Sequence, residues 1–257
     1  MKILITGGNG YIANSLKKYL SSKYIITSIT RKDFDLENKN KTKEWFDNKF
    51  FDVVIHTAIK GGSRLKNEDK SILTSNLKMF ENLLNNKSKF KKLISFGSGA
   101  EIFQNNTFYG QSKLIINNLI QKENYLYNLR IFGVFDESEK DTRFIKSNII
   151  RYIKKEPMII HTNKIMDFIY MKDLIKIVDY YLTHKNLKKE IDCCYKKKYS
   201  LIKIADFINN LNSYKVNIEI QNKNIFDLYI GNSNLPIKTI GLEKGIKETY
   251  NYLINNI

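Results

Sequence analysis

The stretch 6-TGGNGYIA-13 decides how this chain folds. It follows a short apolar run at residues 2–6 and opens 11-YIANSLKKYL-20, where Ile12, Leu16, Tyr19 and Leu20 recur at helical spacing. Glycines set between a strand and an amphipathic helix mark the first turn of a dinucleotide-binding unit. Gly7 allows the tight turn, and Gly10 lets backbone approach a pyrophosphate. The helix beginning near Tyr11 and Ile12 offers N–H groups to its anionic oxygens. Ala13 stands where the strict pattern has glycine, and it is small enough for close helix–sheet packing.

Outward from this turn, strand and helix alternate. The runs 24-YIITSIT-30, 52-DVVIHTA-58 and 92-KLISFGS-98 read as strands, residues 72–84 as a helix, and 42-TKEWFDNKF-50 turns Trp45 and Phe46 inward. Residues 109–121 continue as a helix, 125–133 as a strand, and 143–155 as a helix that Pro157 ends. Residues 158–161 and 166–170 read as short strands, followed by helices from Asp173 to about Leu182 and over 200–211, the latter capped by Ser200. The pattern predicts an α/β fold: a Rossmann-type parallel sheet flanked by helices, with a small C-terminal substrate-binding lobe. Residues 1–133 are expected to form the dinucleotide-binding core, with 158–182 a stretch that can return to it, and 134–257 mainly the substrate-binding lobe.

Composition narrows the function classes. With 257 residues, 42% of them apolar, the chain can build a sizeable core. Its start, MKILITGG, meets glycine too soon for a signal-peptide core, and no apolar run approaches the roughly 20 residues of a membrane span. Cys193 and Cys194 are adjacent, which suits neither a disulfide framework nor a zinc site, so a reducing cytoplasm is expected and no metal. The net charge of +17 raises nucleic acid as a partner. Only five of the 43 basic residues are arginine, however, and the lysines are spread along the chain, so a nucleic-acid partner is not favoured.

The residues with chemistry to offer lie in 97-GSGAEIFQNNTFYGQSK-113. In a helix starting near Tyr109, Tyr109 and Lys113 share one face, one turn apart. Carbonyl reduction needs an acid and a second donor at the carbonyl oxygen. Tyr109 can be the acid and Ser98 the second donor, with Lys113 stabilising the tyrosinate. At the end of the second strand, 30-TRK-32 presents Arg31 and Lys32 where binders of the non-phosphorylated cofactor offer a carboxylate. A guanidinium fork suits a 2′-phosphate, which favours NADPH. Asp33 and Asp35 can instead reach a ribose, which keeps NAD open.

Together, 6-TGGNGYIA-13, 56-HTA-58, Ser98 and 109-YGQSK-113 resemble the extended short-chain dehydrogenase/reductase superfamily of the NAD-dependent epimerase/dehydratase type. The likeness continues through 130-RIFGVF-135, 166-MDFIYMKDL-174, similar to a junction written RDFxxVxD, and 241-GLEKGIKETYNYL-253. Within the superfamily, 31-RKDFDL-36 and 53-VVIHTAIKGG-62 are most similar to the GDP-fucose synthase and dTDP-4-dehydrorhamnose reductase groups.

The resemblance implies Ser98, Tyr109 and Lys113 as the catalytic triad, with Tyr109 and Lys113 also contacting cofactor. It implies Asp35 and Leu36 beside the adenine, Thr57, Ala58 and Lys60 on the nicotinamide side, and Asn76 as a support for the active-site backbone. On the substrate side it points to Gly99, Ala100 and Asn148, with Arg143, Arg151 or a lysine meeting the diphosphate because Met166 replaces the motif's arginine. Ala100 and Asn148 stand where epimerising relatives carry cysteine and histidine, and His161, the nearest other imidazole, is expected to be packed. The implied activity is NADPH-dependent reduction of the 4-keto group of a nucleotide-diphosphate-linked 4-keto-6-deoxysugar by a homodimer. The alternatives are a nucleotide-sugar 4-epimerase and, from another class, a non-catalytic dinucleotide- or RNA-binding protein.

Overall fold

The computed structural model describes residues 1–62 and 68–256, and the backbone alone at 223–226. The chain begins β1 (Lys2–Thr6), α1 (Tyr11–Leu20), β2 (Ile25–Ile29), α2 (Lys39–Phe46), β3 (Phe51–His56), α3 (Lys70–Leu84) and β4 (Phe90–Ser98). It continues through the short α4 (Ala100–Phe103), α5 (Phe108–Gln121), β5 (Leu126–Ile131), β6 (Val134–Phe135), α6 (Phe144–Ile153), β7 (Met158–Met166) and β8 (Ile169–Tyr170). The remaining elements are α7 (Met171–Thr183), β9 (Glu190–Cys193), α8 (Leu201–Asn209), β10 (Ile218–Tyr229) and α9 (Leu242–Ile254). The chain divides into two compact units. One comprises Met1–Arg130 with Val178–Ile191, the other Ile131–Ile177 with Asp192–Ile257.

The first unit is built on the six-stranded sheet, in the order β2-β1-β3-β4-β5-β9. β1 pairs in parallel with both β2 and β3, and β3 with β4. The chain moves outward from β1 to β2 and then crosses back to β3, so the strand order reverses at β1. In an open parallel sheet such a reversal opens a crevice beyond the strand C-termini. With helices covering the faces, the central strands are buried on both sides and read as continuous apolar runs, as 3-ILI-5 and 53-VVI-55 do. Leu4, Val54 and Leu93 pack with Phe46, Phe80, Leu83, Ile116 and Ile120. Trp45 stacks on Phe34 and Phe51, with centroids at 5.1 and 5.9 Å, and so fulfils its expected inward role from a half-buried position.

The second unit has its own core, in which Phe135, Ile149, Tyr152, Ile160, Ile204 and Ile246 are all fully buried. Here the structure departs from the sequence reading. The run 158–166 is a single strand, β7, because its polar centre 162-TNK-164 is carried by parallel pairing with β10, from Ile218↔Met158 to Tyr229↔Met166. The short strand that follows is confined to Ile169–Tyr170. β10 itself escapes the sequence reading, since lysine and asparagine interrupt its apolar alternation. His161, expected to be packed, is exposed on β7, and its Nδ1 lies 2.5 Å from Gln221 Oε1 of β10. Strand alternation turns it away from the side occupied by buried Ile160. Ser200 caps α8 as expected, accepting from the Lys203 N–H at 3.2 Å.

Asp173 at the start of α7 is fully buried. Its carboxylate accepts from the Ile240 and Gly241 N–H groups, at 2.7 and 3.0 Å, and from the Tyr195 hydroxyl at 2.8 Å. Replacing it strands all three donors. Asp173→Ala is expected to cost about 3 kcal/mol or more, since hydrogen bonds to a charged group contribute about 1.5–3 kcal/mol each. Denaturant unfolding at unchanged m-value reads this loss directly.

Candidate active site

The glycine turn after β1 is held from two sides. Gly7 has φ +70°, and a Cβ there would lie 2.7 Å from the backbone N and Cα of Ala58, just beyond β3. Gly8 donates to the Ile29 carbonyl at 2.8 Å, and a Cβ on it would sit 2.3 Å from Ser28 Oγ. Sequence reasoning passed over Gly8, although a third glycine in the turn was its signal. Gly10 donates to the Gly7 carbonyl at 2.8 Å and precedes α1 in extended conformation. α1 receives no side-chain cap and carries no acid in its first turn, where Tyr11 and Ile12 lie. Positive dipole, uncapped N–H groups and a cradle with three glycines fit the pyrophosphate of a dinucleotide.

Behind the cradle runs a chain of polar struts. Thr57 Oγ1 donates to the Thr6 carbonyl at 2.6 Å, and Thr6 Oγ1 lies 2.9 Å from His56 Nδ1. Burial, helped by the positive charge of Lys113, lowers the His56 pKa to about 3, so this imidazole is neutral and structural.

At the end of β2, Arg31 and Lys32 are both exposed, and the Arg31 guanidinium stands 3.6 Å from Glu37. The neighbouring carboxylates are turned to the loop. Asp33 accepts from the Thr30 N–H and hydroxyl, at 2.8 and 3.0 Å, which holds its pKa below the usual carboxylate value. Asp35 accepts from the Glu37 N–H at 3.0 Å, and Leu36 is buried.

β4 ends at Ser98, whose Oγ accepts from the Ala100 N–H at 3.2 Å. Gly99 precedes α4, and Ala100, buried, opens it. Thr107 then caps α5, accepting from the Gly110 N–H at 3.0 Å. A Cβ on Gly110 would lie 1.9 Å from the Gln104 carbonyl oxygen, so only glycine lets α5 start where it does. Tyr109 and Lys113 follow on this helix. The Lys113 ammonium is buried, donates to the Phe96 carbonyl at 2.5 Å, and lies 5.9 Å from the Tyr109 ring centroid. Burial lowers its pKa to about 8, against the opposing charge of Glu101. Gly62, at φ +74°, faces the phenol: a Cβ there would lie 2.9 Å from Tyr109 Cζ.

Asn76 of α3 ties these pieces together. Its amide accepts from the Lys60 N–H at 2.9 Å and donates to the Lys60 carbonyl and Ser112 Oγ, both at 3.0 Å. Ser112 in turn donates to the Tyr109 carbonyl at 2.7 Å. The Lys60 ammonium reaches Ser71 and Ser75, at 3.2 and 3.3 Å.

The second unit holds the other residues that the sequence nominated. Asn148 is fully buried. Its Oδ1 accepts from the Ile159 N–H at 2.8 Å, and its Nδ2 donates to the Phe144 and Ile159 carbonyls. With its amide engaged on both sides, Asn148 fastens α6 to β7. Arg143 is exposed at the N-cap of α6. Arg151 sits 3.7 Å from Glu156 near the other end of that helix. Met166 is buried, and next to it the Asp167 carboxylate accepts from the Lys198 ammonium at 2.5 Å. Among the described residues, no group of acids, histidines and cysteines has the arrangement to hold a metal, and no helix is long and apolar enough to cross a membrane.

The sequence reading did not find the polar group beneath Ser98. Glu101, almost wholly buried, accepts from the Ser98 N–H at 2.8 Å and from Arg130 Nε at 2.9 Å. Its signal was a carboxylate directly after the small residues 97-GSGA-100.

A parallel sheet that reverses at β1, a glycine cradle at that point and a tyrosine–lysine pair on α5 define an α/β protein built around a dinucleotide. The chain belongs to the NAD dependent epimerase/dehydratase family, which it matches over residues 3–194. Among solved structures it is similar to the GDP-mannoheptose C4 reductase MlghC from Campylobacter jejuni with NADP bound, at 17% identity over 98% of each chain and a TM-score of 0.84. It is also similar to a GDP-L-fucose synthetase from Naegleria fowleri, at 17% identity over 99% of this chain and 93% of that one, TM-score 0.77. A UDP-glucuronic acid 4-epimerase from Bacillus cereus matches at 18% identity over 100% and 99%, TM-score 0.79. Likeness at this identity shows the fold. The chain spans 6% of the length of a curated relative, Protein PFC0760c of Plasmodium falciparum, to which it is 26% identical over 220 residues, 78% of this chain.

The Asn76 bridge generates a test. Asn76→Ala removes the tie between the loop after β3 and α5, leaving the half-buried Lys60 backbone groups without their partner at a cost of about 1 kcal/mol or more. The melting temperature is expected to fall, and dinucleotide affinity, followed by fluorescence titration, to weaken with it.

Proposed function

We propose that this protein is an NADPH-dependent reductase of the 4-keto group of a nucleotide-linked 4-keto-6-deoxysugar. The observation that carries the reading is the buried Lys113 ammonium beside the Tyr109 ring, on a helix that starts just past the strand ending in Ser98. The bound dinucleotide supplies the hydride. Tyr109 delivers the proton to the developing alkoxide, and Ser98 donates a second hydrogen bond to the same oxygen. Lys113 stabilises the tyrosinate. Lowering a phenol from about 10 to about 7 requires roughly 4 kcal/mol of preferential stabilisation of its anion, and a desolvated ammonium is a strong source. The exposed Arg31 and Lys32, beside carboxylates already engaged by their own loop, support NADPH over NADH. The solved relatives that support this reading include a C4 reductase with NADP bound.

Ala100 offers no acid or base, and the Asn148 amide is engaged with backbone, so neither can move a proton on the carbons flanking C4. Simple reduction therefore fits this chain better than epimerisation at C3 or C5. A panel of nucleotide-linked 4-keto sugars, followed by NADPH consumption and product NMR in heavy water, tests the reading. Stoichiometric NADPH oxidation is expected, with protium retained at C3 and C5 and with turnover lost in Tyr109→Phe while cofactor binding persists. A tightly retained cofactor with no net consumption would point to the 4-epimerase, and deuterium at C3 or C5 would refute simple reduction.

Cofactor choice has its own test. NADPH is expected to bind at least several-fold tighter than NADH, because a charge-assisted hydrogen bond contributes about 1.5–3 kcal/mol. Arg31→Ala should erase most of that gap in a direct binding titration. Equal affinities in the unmodified protein would remove Arg31 from the assignment.

A further inference from the structure

The double glycine 61-GG-62 lies outside the triad, yet it faces the phenol of Tyr109. We propose that Glu68 is a positioning residue of the active site, holding the Gly61–Gly62 turn against Tyr109 and so fixing where its hydroxyl lies. The proposal rests on the reading of Tyr109 as the proton donor.

The helix fixes the backbone of Tyr109 but not the tip of its ring. The Thr107 cap, the close approach at Gly110 and the Ser112 hydroxyl all act on the main chain in the first turn of α5. The ring still turns about two side-chain torsions, the second of them a broad well, so a hydroxyl at its far end needs a wall. Gly62 is such a wall. A Cβ there would lie 2.9 Å from Tyr109 Cζ, 3.0 Å from Cε2 and 3.3 Å from the hydroxyl oxygen, so the backbone at residue 62 meets the hydroxyl-bearing end of the ring.

A wall of two glycines needs an outside hold. Gly61 and Gly62 stand at φ +83° and +74°, in the left-handed region, and glycine loses more conformational freedom than any other residue when it is fixed. The segment is pinned at both ends. Asn76 takes the N–H and carbonyl of Lys60 on one side. On the other, Glu68, just before the α3 cap residue Asp69, accepts from the Gly62 N–H at 2.6 Å. A hydrogen bond to a carboxylate is about twice as strong as a neutral one. The same carboxylate oxygen closes off Gly61, where a Cβ would lie 3.0 Å from Glu68 Oε1 and 2.8 Å from Cγ2 of buried Ile72. Carboxylate, glycine pair and phenol stand in succession, and Glu68 acts on the hydroxyl through Gly62.

The decisive measurement reads the phenol itself and needs no substrate. In the full-length, cofactor-free protein carrying 13Cζ-tyrosine, the Tyr109 resonance is assigned by its loss in Tyr109→Phe. Glu68→Ala is expected to move or broaden that resonance. Glu68→Gln, whose amide oxygen can still accept from the Gly62 N–H, should restore most of the wild-type signal. Asp69→Ala removes the α3 cap at the Ser71 N–H, controls for general loosening of that helix end, and should leave Tyr109 in place. An unmoved resonance in Glu68→Ala, a glutamine variant that behaves like alanine, or an equal movement in Asp69→Ala would each overturn the proposal. With a keto-sugar substrate, Glu68→Ala should lower turnover by about 10- to 100-fold, the scale of a misplacement of about 1 Å, while NADPH binds nearly as before. Glutamine should rescue that loss as well. A wild-type protein that reduces no such sugar would remove the reductase reading and leave the NMR result to judge Glu68.

Discussion

A charged amine withdrawn from water at the end of the central sheet constrains everything around it. The Lys113 ammonium has given up its hydration and gained the Phe96 carbonyl at 2.5 Å and the nearby negative charge of Glu101. The effective penalty for desolvating an ion in a protein is several kcal/mol, so this arrangement holds only if the helix bearing the lysine is fixed. The capping hydroxyl of Thr107 sets where α5 begins, and Gly110 lets its first turn lie against the Gln104 carbonyl. Asn76 and Ser112 then join that turn to the loop after β3. Tyr109 inherits its place from constraints that act mostly on its neighbours.

The same economy of charge appears in His56. A protonated imidazole at this position would repel Lys113, and burial lowers its pKa to about 3, so the two do not compete. The neutral ring serves instead as a partner for Thr6, whose carbonyl also receives the Thr57 hydroxyl. The turn after β1 and the turn after β3 are therefore locked by neutral hydrogen bonds and by the close approach of Gly7 to Ala58. This leaves the uncapped end of α1 as a place of positive potential beside the cradle.

Most of the first unit was legible in the sequence because its signals are local. Glycines between strand and helix, apolar strands and a tyrosine–lysine pair one turn apart each declare themselves within a few residues. The acid beneath Ser98 was not legible, since its meaning depends on Arg130 and Glu190, which lie 29 and 89 positions further on. β10 was missed, and β7 was read only in part, for a related reason: their pairing joins residues about 60 apart, and polar residues interrupt the apolar pattern of each strand. The anchoring part played by Asn148 was equally illegible: its amide meets the backbone requirement of a helix beside a strand, and its partners are set by how α6 and β7 pack.

The segment 166-MDFIYMKD-173 puts two carboxylates to structural use. Its two aspartates hold the chain between β10 and α9, a stretch of mostly irregular backbone. Asp167 accepts from the Gly231 N–H at 2.7 Å, and Asp173 from those of Ile240 and Gly241. Asp192 adds a third hold on Asn232 at 2.7 Å. Backbone donors that no helix or strand satisfies are thereby met by buried carboxylates, at three points along one connection. Met166 has a different environment: it is packed in the apolar core of this unit, and Lys198 rather than an arginine at 166 supplies a cation to Asp167. The aspartates supply acceptors that the irregular loop cannot provide for itself, while Met166, with an apolar side chain, serves the core instead.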